Sequence, residues 1–318
     1  MDGVLFALCF RDGAWHGLPP SALADWTPQQ GPLWVHCHYA HPRLPSWLGR
    51  AGVPLWAARA LTQADTRPRV APAEGGLLAF FRGANLNPGA APEDMISLRA
   101  WLTADCLISC QRRPLRAVDD VAERLRDGAN TVATPAAVLV ALVDTLVWNL
   151  EQVVDQLEAE VAAYDERVQS EQRRSLLDDI SRVRRRVMTM RRFLTPQRDA
   201  LLKLAEAPQL ADVERGVVRE ALDRLQRLLE DLDMVREQCV IAQEDLSNRL
   251  AAALNQRMYL LGLVSSVFLP LSFLTGLLGV NLGGIPGAES PWGFVAFSLM
   301  LLGVGAAIAV LLRRWRWL

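Results

Sequence analysis

The C-terminal part of the sequence has almost no side chain that titrates near neutral pH. Residues 258–312 contain no His, Cys, Asp, Lys or Arg, and Glu289 is their one carboxylate. This scarcity excludes the usual relay of buried carboxylates or histidines that carries protons through a membrane protein. It also excludes tight ligation of bare Zn²⁺ there, because zinc favours imidazole and thiolate.

Other absences remove whole classes of function. With 34 basic and 35 acidic residues the chain has no excess of positive charge for nucleic acid. Its five cysteines form no disulfide framework, which indicates a reducing compartment. No Gly-rich phosphate loop, nucleophile elbow or zinc-protease spacing occurs, so an enzyme is the least supported class and no cofactor is expected. The apolar stretch 4–10 lacks the features of a signal peptide, and we expect the soluble part in the cytoplasm.

Two apolar runs, 258–280 and 292–312, are each long enough to cross a hydrocarbon core of about 30 Å. Arginines precede the first run and follow the second, whereas the loop between the runs has none. These arginines are Arg249, Arg257, Arg313, Arg314 and Arg316. The positive-inside rule then places both termini in the cytoplasm and the loop outside an inner (plasma) membrane. Trp292, Trp315 and Trp317 stand where interfacial aromatic residues are expected.

The rest of the chain predicts an α+β cytoplasmic domain followed by long helices. Proline and glycine punctuate strand-like runs at 33–38, 77–82, 95–102 and 106–111, before a short helix at 119–128. The predicted order is an α/β domain 1–133, a long-helix stalk 134–257, span 258–280, outer loop 281–291, span 292–312 and basic tail 313–318.

Three long helices are predicted within the stalk. The first begins after the N-cap Thr134 and runs to about residue 169. The second covers 173–206, and Pro196 should kink or break it. The third starts near Ala211 and, if it continues into the first span, is about 105 Å long. The alternative is an ordinary coiled-coil hairpin.

One side of the first span carries small and polar residues at helical spacing. This small-residue stripe comprises Gly262, Ser265, Leu269, Ser272, Gly276 and Gly279, and it extends back through Asn255 and Met258. Such spacing often serves only close helix packing. It also suits the wall of a wet path, and Pro270, which frees the carbonyl of Ser266, is usually tolerated near a cavity or a neighbouring helix. Because two helices cannot enclose a channel, a path requires several copies of the chain.

The stripe ends in Gly279, Val280 and Asn281. A ring of Gly279 carbonyls and Asn281 amides would offer neutral oxygens to a cation that keeps its water. Asn281 could instead be a helix C-cap.

Placed between two C-terminal spans, this Gly-x-Asn resembles the Gly-Met-Asn mark of the CorA family of divalent-cation transporters. The segments 268–270, 273–276 and 281–287, together with 66–70, 191–199 and the final Trp317-Leu318, look like its zinc-associated ZntB branch. The resemblance covers nearly the whole chain.

The resemblance implies a funnel-shaped homopentamer in the bilayer that moves divalent cations, with zinc uptake as its first function. It implies a selectivity filter of Gly279, Val280 and Asn281, and Glu289 in the outer loop. The implied pore line is Asn255, Met258, Leu261, Gly262, Ser265, Leu269, Ser272 and Gly276, with Met258 and Leu261 as an apolar constriction. A magnesium or broad divalent channel is the close alternative, and a membrane-anchored coiled-coil scaffold is the distant one.

Candidate soft ligands lie far from the spans, at His36, His38 and His41. Residues 36 and 38 share a face if they lie in a strand, so a metal site is possible, although ordinary surface histidines are the simpler interpretation. Cys106 and Cys110 are interpreted as buried thiols. Five acids of the third helix either attract cations or form a solvated face; they are Asp231, Asp233, Glu237, Glu244 and Asp245.

Overall fold

The computed structural model describes residues 3–128, 132–168, 173–279 and 290–314. It divides into two compact units, Met1–Gln243 and Glu244–Leu318. Strands are β1 Val4–Arg11, β2 Ala14–Gly17, β3 Leu33–His38, β4 Arg69–Ala73, β5 Gly76–Gly83, β6 Ile96–Leu102 and β7 Cys106–Gln111. Helices are α1 Leu44–Arg50, α2 Leu55–Thr62, α3 Arg116–Arg126, α4 Pro135–Val168, α5 Arg173–Ala205, α6 Asp212–Leu278 and α7 Gly293–Arg314.

The first unit is built on a seven-stranded sheet with strand order β2-β1-β3-β7-β6-β5-β4. Among the strands of the described residues, β3 and β7 pair in parallel, with Leu33 opposite Cys106, and the other pairs are antiparallel. All four predicted strands are present, and the mixed α/β character of this region is confirmed.

Both faces of the sheet are covered, which is why β5 and β6 are buried along almost their whole length. On one face, Leu33, Val35 and Cys37 of β3 pack in a core with α1 and α2. The other face carries α4 and α5. A Cβ at Gly83 of β5 would lie 2.4 Å from Leu146 Cδ2, so glycine lets α4 approach the sheet closely.

Helix α4 is apolar enough to be a third candidate for a membrane span by length and composition, beside α6 and α7. Its apolar window is 67% buried within the protein, against 0% in α6 and 6% in α7. Leu139, Leu142 and Leu150 of α4 are fully buried. The hydrophobic character of α4 therefore belongs to the core of the first unit.

The start of α4 is capped as predicted, because Thr134 Oγ1 accepts a hydrogen bond from the Ala137 N–H at 3.0 Å. The same hydroxyl donates to Glu214 Oε1 at 2.9 Å, and Glu214 Oε2 accepts from the Ala211 N–H at 2.7 Å. One carboxylate thus caps the start of α6 and ties it to the start of α4.

The predicted second helix is confirmed, and Pro196 does not break it, since α5 runs from Arg173 through Pro196 to Ala205. Proline removes one helical donor, but Leu194 and Gln197 on either side of it are buried and hold the helix in place. The prediction of a continuous third helix is confirmed, since α6 spans 67 residues, about 100 Å at 1.5 Å per residue.

Two segments noted in the sequence, 66–70 and 191–199, meet at Arg82 of β5. The guanidinium donates to the carbonyl of Thr66 at 2.7 Å and lies 4.6 Å from the ring centre of Phe193. The backbone N–H of Arg82 donates to Gln197 Oε1 at 2.7 Å. These residues therefore fasten α5 to the sheet, which is a structural role.

Candidate functional site

The second unit contains the C-terminal part of α6 and all of α7. In this part of α6, Leu263, Val267, Leu271 and Leu274 are half-buried, whereas most of their neighbours are exposed. A Cβ added at Gly305 of α7 would lie 4.0 Å from Leu271 Cδ1. These four half-buried residues, called the leucine row below, therefore mark the side of α6 on which α7 lies. Their spacing of three and four residues is a signal of a shared helix face that the sequence already contains.

The small-residue stripe lies on the opposite side of α6. At about 100° per residue, its centre falls roughly 180° from the leucine row. Ser265 and Ser272 are exposed, as are Met258 (69%), Leu261 (69%) and Leu269 (68%). A Cβ at Gly262 or Gly276 would meet no atom of the described residues within 4 Å.

This placement bears on the interpretation that the small residues of the stripe serve close helix packing. The glycines do not serve the approach of α7, because α7 lies on the other side of the helix. A helix that packs against them, or water that wets them, must therefore be supplied by a further copy of the chain or by its surroundings.

Side-chain hydroxyls satisfy part of the helix backbone around Pro270. The Thr275 hydroxyl donates to the carbonyls of Leu271 at 3.0 Å and Ser272 at 2.9 Å, and the Ser266 hydroxyl donates to the carbonyl of Leu263 at 2.8 Å. Pro270 has no N–H for the carbonyl of Ser266, yet α6 stays continuous to Leu278.

Glycine is required where α6 ends. The Gly279 N–H donates to the carbonyl of Thr275 at 2.9 Å, and a Cβ at Gly279 would lie 2.6 Å from that oxygen. Any other residue would force the last turn to shift. Val280, Asn281 and Glu289 lie outside the described residues, as does the tail after Arg314.

The histidines of β3 have different surroundings. His36 is 1% exposed, its Nδ1 lies 2.7 Å from Ser109 Oγ, and its ring stacks on Phe6. The Ser109 oxygen also accepts a hydrogen bond from Trp34 Nε1 at 2.7 Å. Burial lowers the pKa of His36 to about 4. His36 is therefore a neutral core residue and not a surface histidine.

His38 and His41 are only partly buried, and the His41 Nδ1 accepts from the Arg43 N–H at 3.3 Å. No group of three His, Cys, Asp or Glu side chains in the part of the chain that the structure describes is arranged to hold a metal ion. Cys110 is fully buried and Cys106 half-buried. Burial raises the pKa of Cys106 to about 12, with the charge of Asp105 adding to the effect, so this thiol is neutral.

The acids of α6 divide into paired and unpaired groups. Asp233 pairs with Arg191, and Asp245 accepts from Arg249 at 2.7 Å. Asp231 lies near Asp155 of α4, and burial raises its pKa, with the neighbouring carboxylates adding to the effect. Carboxylates of α4 and α6 thus lie near each other in the first unit, and the charge of Arg227 partly offsets their effect on Asp231.

Comparison with known proteins agrees with this architecture. The family model described as "CorA-like Mg2+ transporter protein" matches residues 29–314. The chain is 39% identical over 307 residues to the divalent cation transporter CmaX of Pseudomonas aeruginosa, covering 93% of this chain and 90% of that protein. It is 32% identical over 305 residues to the zinc transport protein ZntB of Pectobacterium carotovorum, covering 95% and 93%.

Solved structures are similar over the same extent. The structure of full-length CmaX has a TM-score of 0.86 and 34% identity and covers 99% of this chain and 98% of its own. The CorA magnesium transporter of Methanocaldococcus jannaschii has a TM-score of 0.84 and covers 98% of both chains, and at 16% identity it shows the fold alone. The prediction that the chain is not an enzyme is confirmed by its family, which is one of ion transporters. The chain belongs to the CorA-like Mg²⁺ transporter family.

Proposed function

We propose that the chain forms a homopentamer in the inner membrane and moves divalent cations, with zinc uptake as its function. The end of α6 and all of α7 are the two membrane crossings, both termini are cytoplasmic, and α6 lines the pore. Gly279, Val280 and Asn281 form the outer filter, and Met258 and Leu261 form an apolar constriction nearer the cytoplasm.

One observation carries the proposal. The small-residue stripe is exposed on the side of α6 opposite to α7, with open space at Gly262 and Gly276. In a ring of identical subunits that keep α7 outside, this side faces the ring axis. Serine hydroxyls and exposed glycine backbone then border the path, and Leu263, Val267 and Leu271 remain in contact with α7.

The chemistry of the stripe favours a cation that keeps its water. Its oxygens are neutral, and hydroxyls and carbonyls suit hard, hydrated ions better than bare Zn²⁺. The ZntB relatives supply the argument for zinc. Magnesium is a second candidate, supported by the family's description and by the hydroxyl and carbonyl oxygens of the stripe.

Metal flux through the purified protein in liposomes tests the function. We compare Zn²⁺, Mg²⁺ and Ni²⁺ at two pH gradients and expect saturable Zn²⁺ entry that exceeds Mg²⁺ entry. Greater Mg²⁺ than Zn²⁺ entry would contradict the zinc assignment, and no flux of any of the three ions would contradict transport itself.

The filter is tested with Asn281→Ala, which we expect to stop flux without loss of assembly. Ser290→Ala is the matched control, since it also removes a polar group from the outer loop and should keep the wild-type rate. Wild-type flux through Asn281→Ala would remove Asn281 from the filter.

The subunit number is measured separately by the mass of the complex in mild detergent. A pentamer supports the proposal, whereas a monomer or dimer would contradict it, because neither can enclose a path with one lining helix per subunit.

A further inference from the structure

A cavity of about 590 Å³ lies in the first unit. Its walls come from the short 3-10 helices at Pro20–Ala24 and Pro28–Gln30, from α1, and from the sheet at β3 and β7. Ligand pockets usually measure about 300–1,000 Å³. Trp26, Trp47 and Trp101 all line the cavity, which gives it three of the chain's ten tryptophans.

Two of the three indoles are held in fixed positions. Trp26 Nε1 donates to the carbonyl of Gly31 at 3.2 Å. Trp101 meets Trp56 edge to face, with ring centres 5.8 Å apart. A Cβ at Gly76 would lie 2.6 Å from Trp101 Cζ2, so this indole is packed directly against the backbone of β5. An aromatic wall that is already ordered loses little entropy when a ligand binds.

A negative charge lies at the edge of this wall, on Asp105 between β6 and β7. The turn around it is rigid, because the Cys106 N–H donates to Thr103 Oγ1 at 3.0 Å and the Thr103 N–H donates to the carbonyl of Cys106 at 2.8 Å. The carbonyl of Asp105 also accepts from the Leu33 N–H at 2.9 Å. Among the described residues, its carboxylate has neither a hydrogen bond nor an ion pair.

Two further ionisable groups line the cavity. The neighbouring Cys106 thiol is neutral, since burial and Asp105 both raise its pKa. Arg50 also lines the cavity and interacts with another group. Asp105 is exposed to solvent at the edge of the cavity and, among the described residues that line it, supplies the carboxylate.

We propose that this cavity binds a small organic cation of the quaternary ammonium type. Its methylated head lies among Trp26, Trp47 and Trp101, and Asp105 supplies the counter-charge. Indole faces attract cations through their quadrupole, and the attraction strengthens when water is excluded. A quaternary ammonium needs no hydrogen-bond acceptor, which suits a wall that offers indole surface and one carboxylate.

Isothermal titration calorimetry on the full-length protein in detergent tests this site. Choline is the probe, and 3,3-dimethylbutan-1-ol is its uncharged isostere of equal shape. We expect choline to bind saturably and at least about tenfold more tightly than the isostere, since a cation–π contact together with a carboxylate exceeds that difference. Equal affinity for choline and its isostere, or no saturable heat with choline, would overturn the proposal. The wild-type protein alone is enough for this test.

Variants then locate the site. Asp105→Asn and Trp47→Leu should each weaken choline binding by about 5- to 30-fold, the range expected for one cation–π or charge contact. Asp105→Asn should leave the weak binding of the isostere unchanged. Asp127→Asn, at the exposed end of α3, is the matched control and should bind choline like wild type. Unchanged choline affinity in Asp105→Asn would show that the cation binds elsewhere.

Discussion

The two parts of α6 show the same apolar residue types in opposite surroundings. In the first unit, Val218, Leu225 and Leu232 are fully buried among neighbouring helices. In the second unit, Met258, Leu261 and Leu269 are more than two-thirds exposed. A protein rarely leaves so much apolar surface in water. In the first unit these apolar side chains of α6 are therefore buried by other parts of the chain, whereas in the second unit they lie on the surface.

The largest expected effect comes from filling the stripe. Gly276→Leu would place a leucine side chain in the proposed path from every subunit, and we expect it to abolish metal flux in liposomes. Gly303→Leu is the control, because a Cβ at Gly303 of α7 also meets no described atom within 4 Å. It should conduct like wild type. Equal flux in both variants would show that the stripe does not border the path.

The second effect concerns the stability of the first unit, in which one arginine is buried. The guanidinium of Arg99 is fully buried and donates to the carbonyls of Leu61 at 2.7 Å and Gln63 at 2.5 Å. Arg99→Met leaves these acceptors unpaired in the core, and we expect a loss of about 3–5 kcal/mol in the free energy of unfolding. Denaturant titration measures it.

Arg69→Met is the matched control for this change. Arg69 lies over the ring of Phe80, at 5.0 Å from its centre, but it is exposed. Its loss should cost less than about 1 kcal/mol, as expected for an exposed cation–π contact. A similar cost for both variants would contradict the special role of the buried guanidinium.

The third effect is a dependence of stability on pH. The pKa of His36 is about 4 in the folded protein and about 6.5 when unfolded. Between these two pH values His36 binds a proton in the unfolded state but not in the folded state. The free energy of unfolding is therefore highest above about pH 6.5 and declines as the pH falls towards 4. We expect a loss of about 2 kcal/mol between pH 7 and pH 5.

Denaturant titration at both pH values measures this loss. His36→Asn should remove most of the pH dependence, whereas His16→Asn, at an exposed position, should retain it. An unchanged pH profile in His36→Asn would assign the effect to other groups.

The smallest effect lies at the surface of the first unit. Arg186 of α5 donates to Glu160 of α4 at 2.7 Å and to Glu93 at 3.3 Å. Because these groups are partly exposed to solvent, Arg186→Gln should lower the free energy of unfolding by only about 1 kcal/mol, and by less at high salt. Arg185→Gln, at an exposed neighbouring position, should not change it measurably. A larger loss in Arg186→Gln than in Arg99→Met would contradict the expected order.

Much of the fold could be read from the sequence because its signals were local. Proline and glycine marked the ends of the strands, the Thr134 cap marked the start of α4, and the absence of proline before Pro270 indicated a long α6. Strands β1, β2 and β4 and helices α1 and α2 were not predicted. Pairing and packing with distant segments stabilise them.

The candidate site was predictable only in part. Helical spacing gave the small-residue stripe, but the position of α7 on the opposite side depends on tertiary contacts such as that between Leu271 and Gly305. The burial of His36 beside Ser109 and the cluster of Trp26, Trp47 and Trp101 also depend on pairing across the sheet. Residues far apart in sequence form these environments, so local sequence patterns do not predict them.

The central claim is that the stripe of α6 lines a wet path between identical subunits. The most direct test is the reaction of a membrane-impermeant thiol reagent with Ser265→Cys, Ser272→Cys and the control Val264→Cys in the reconstituted protein. We predict that the cysteines at 265 and 272 react and that the cysteine at 264 does not. Unreactive cysteines at both stripe positions would contradict the account.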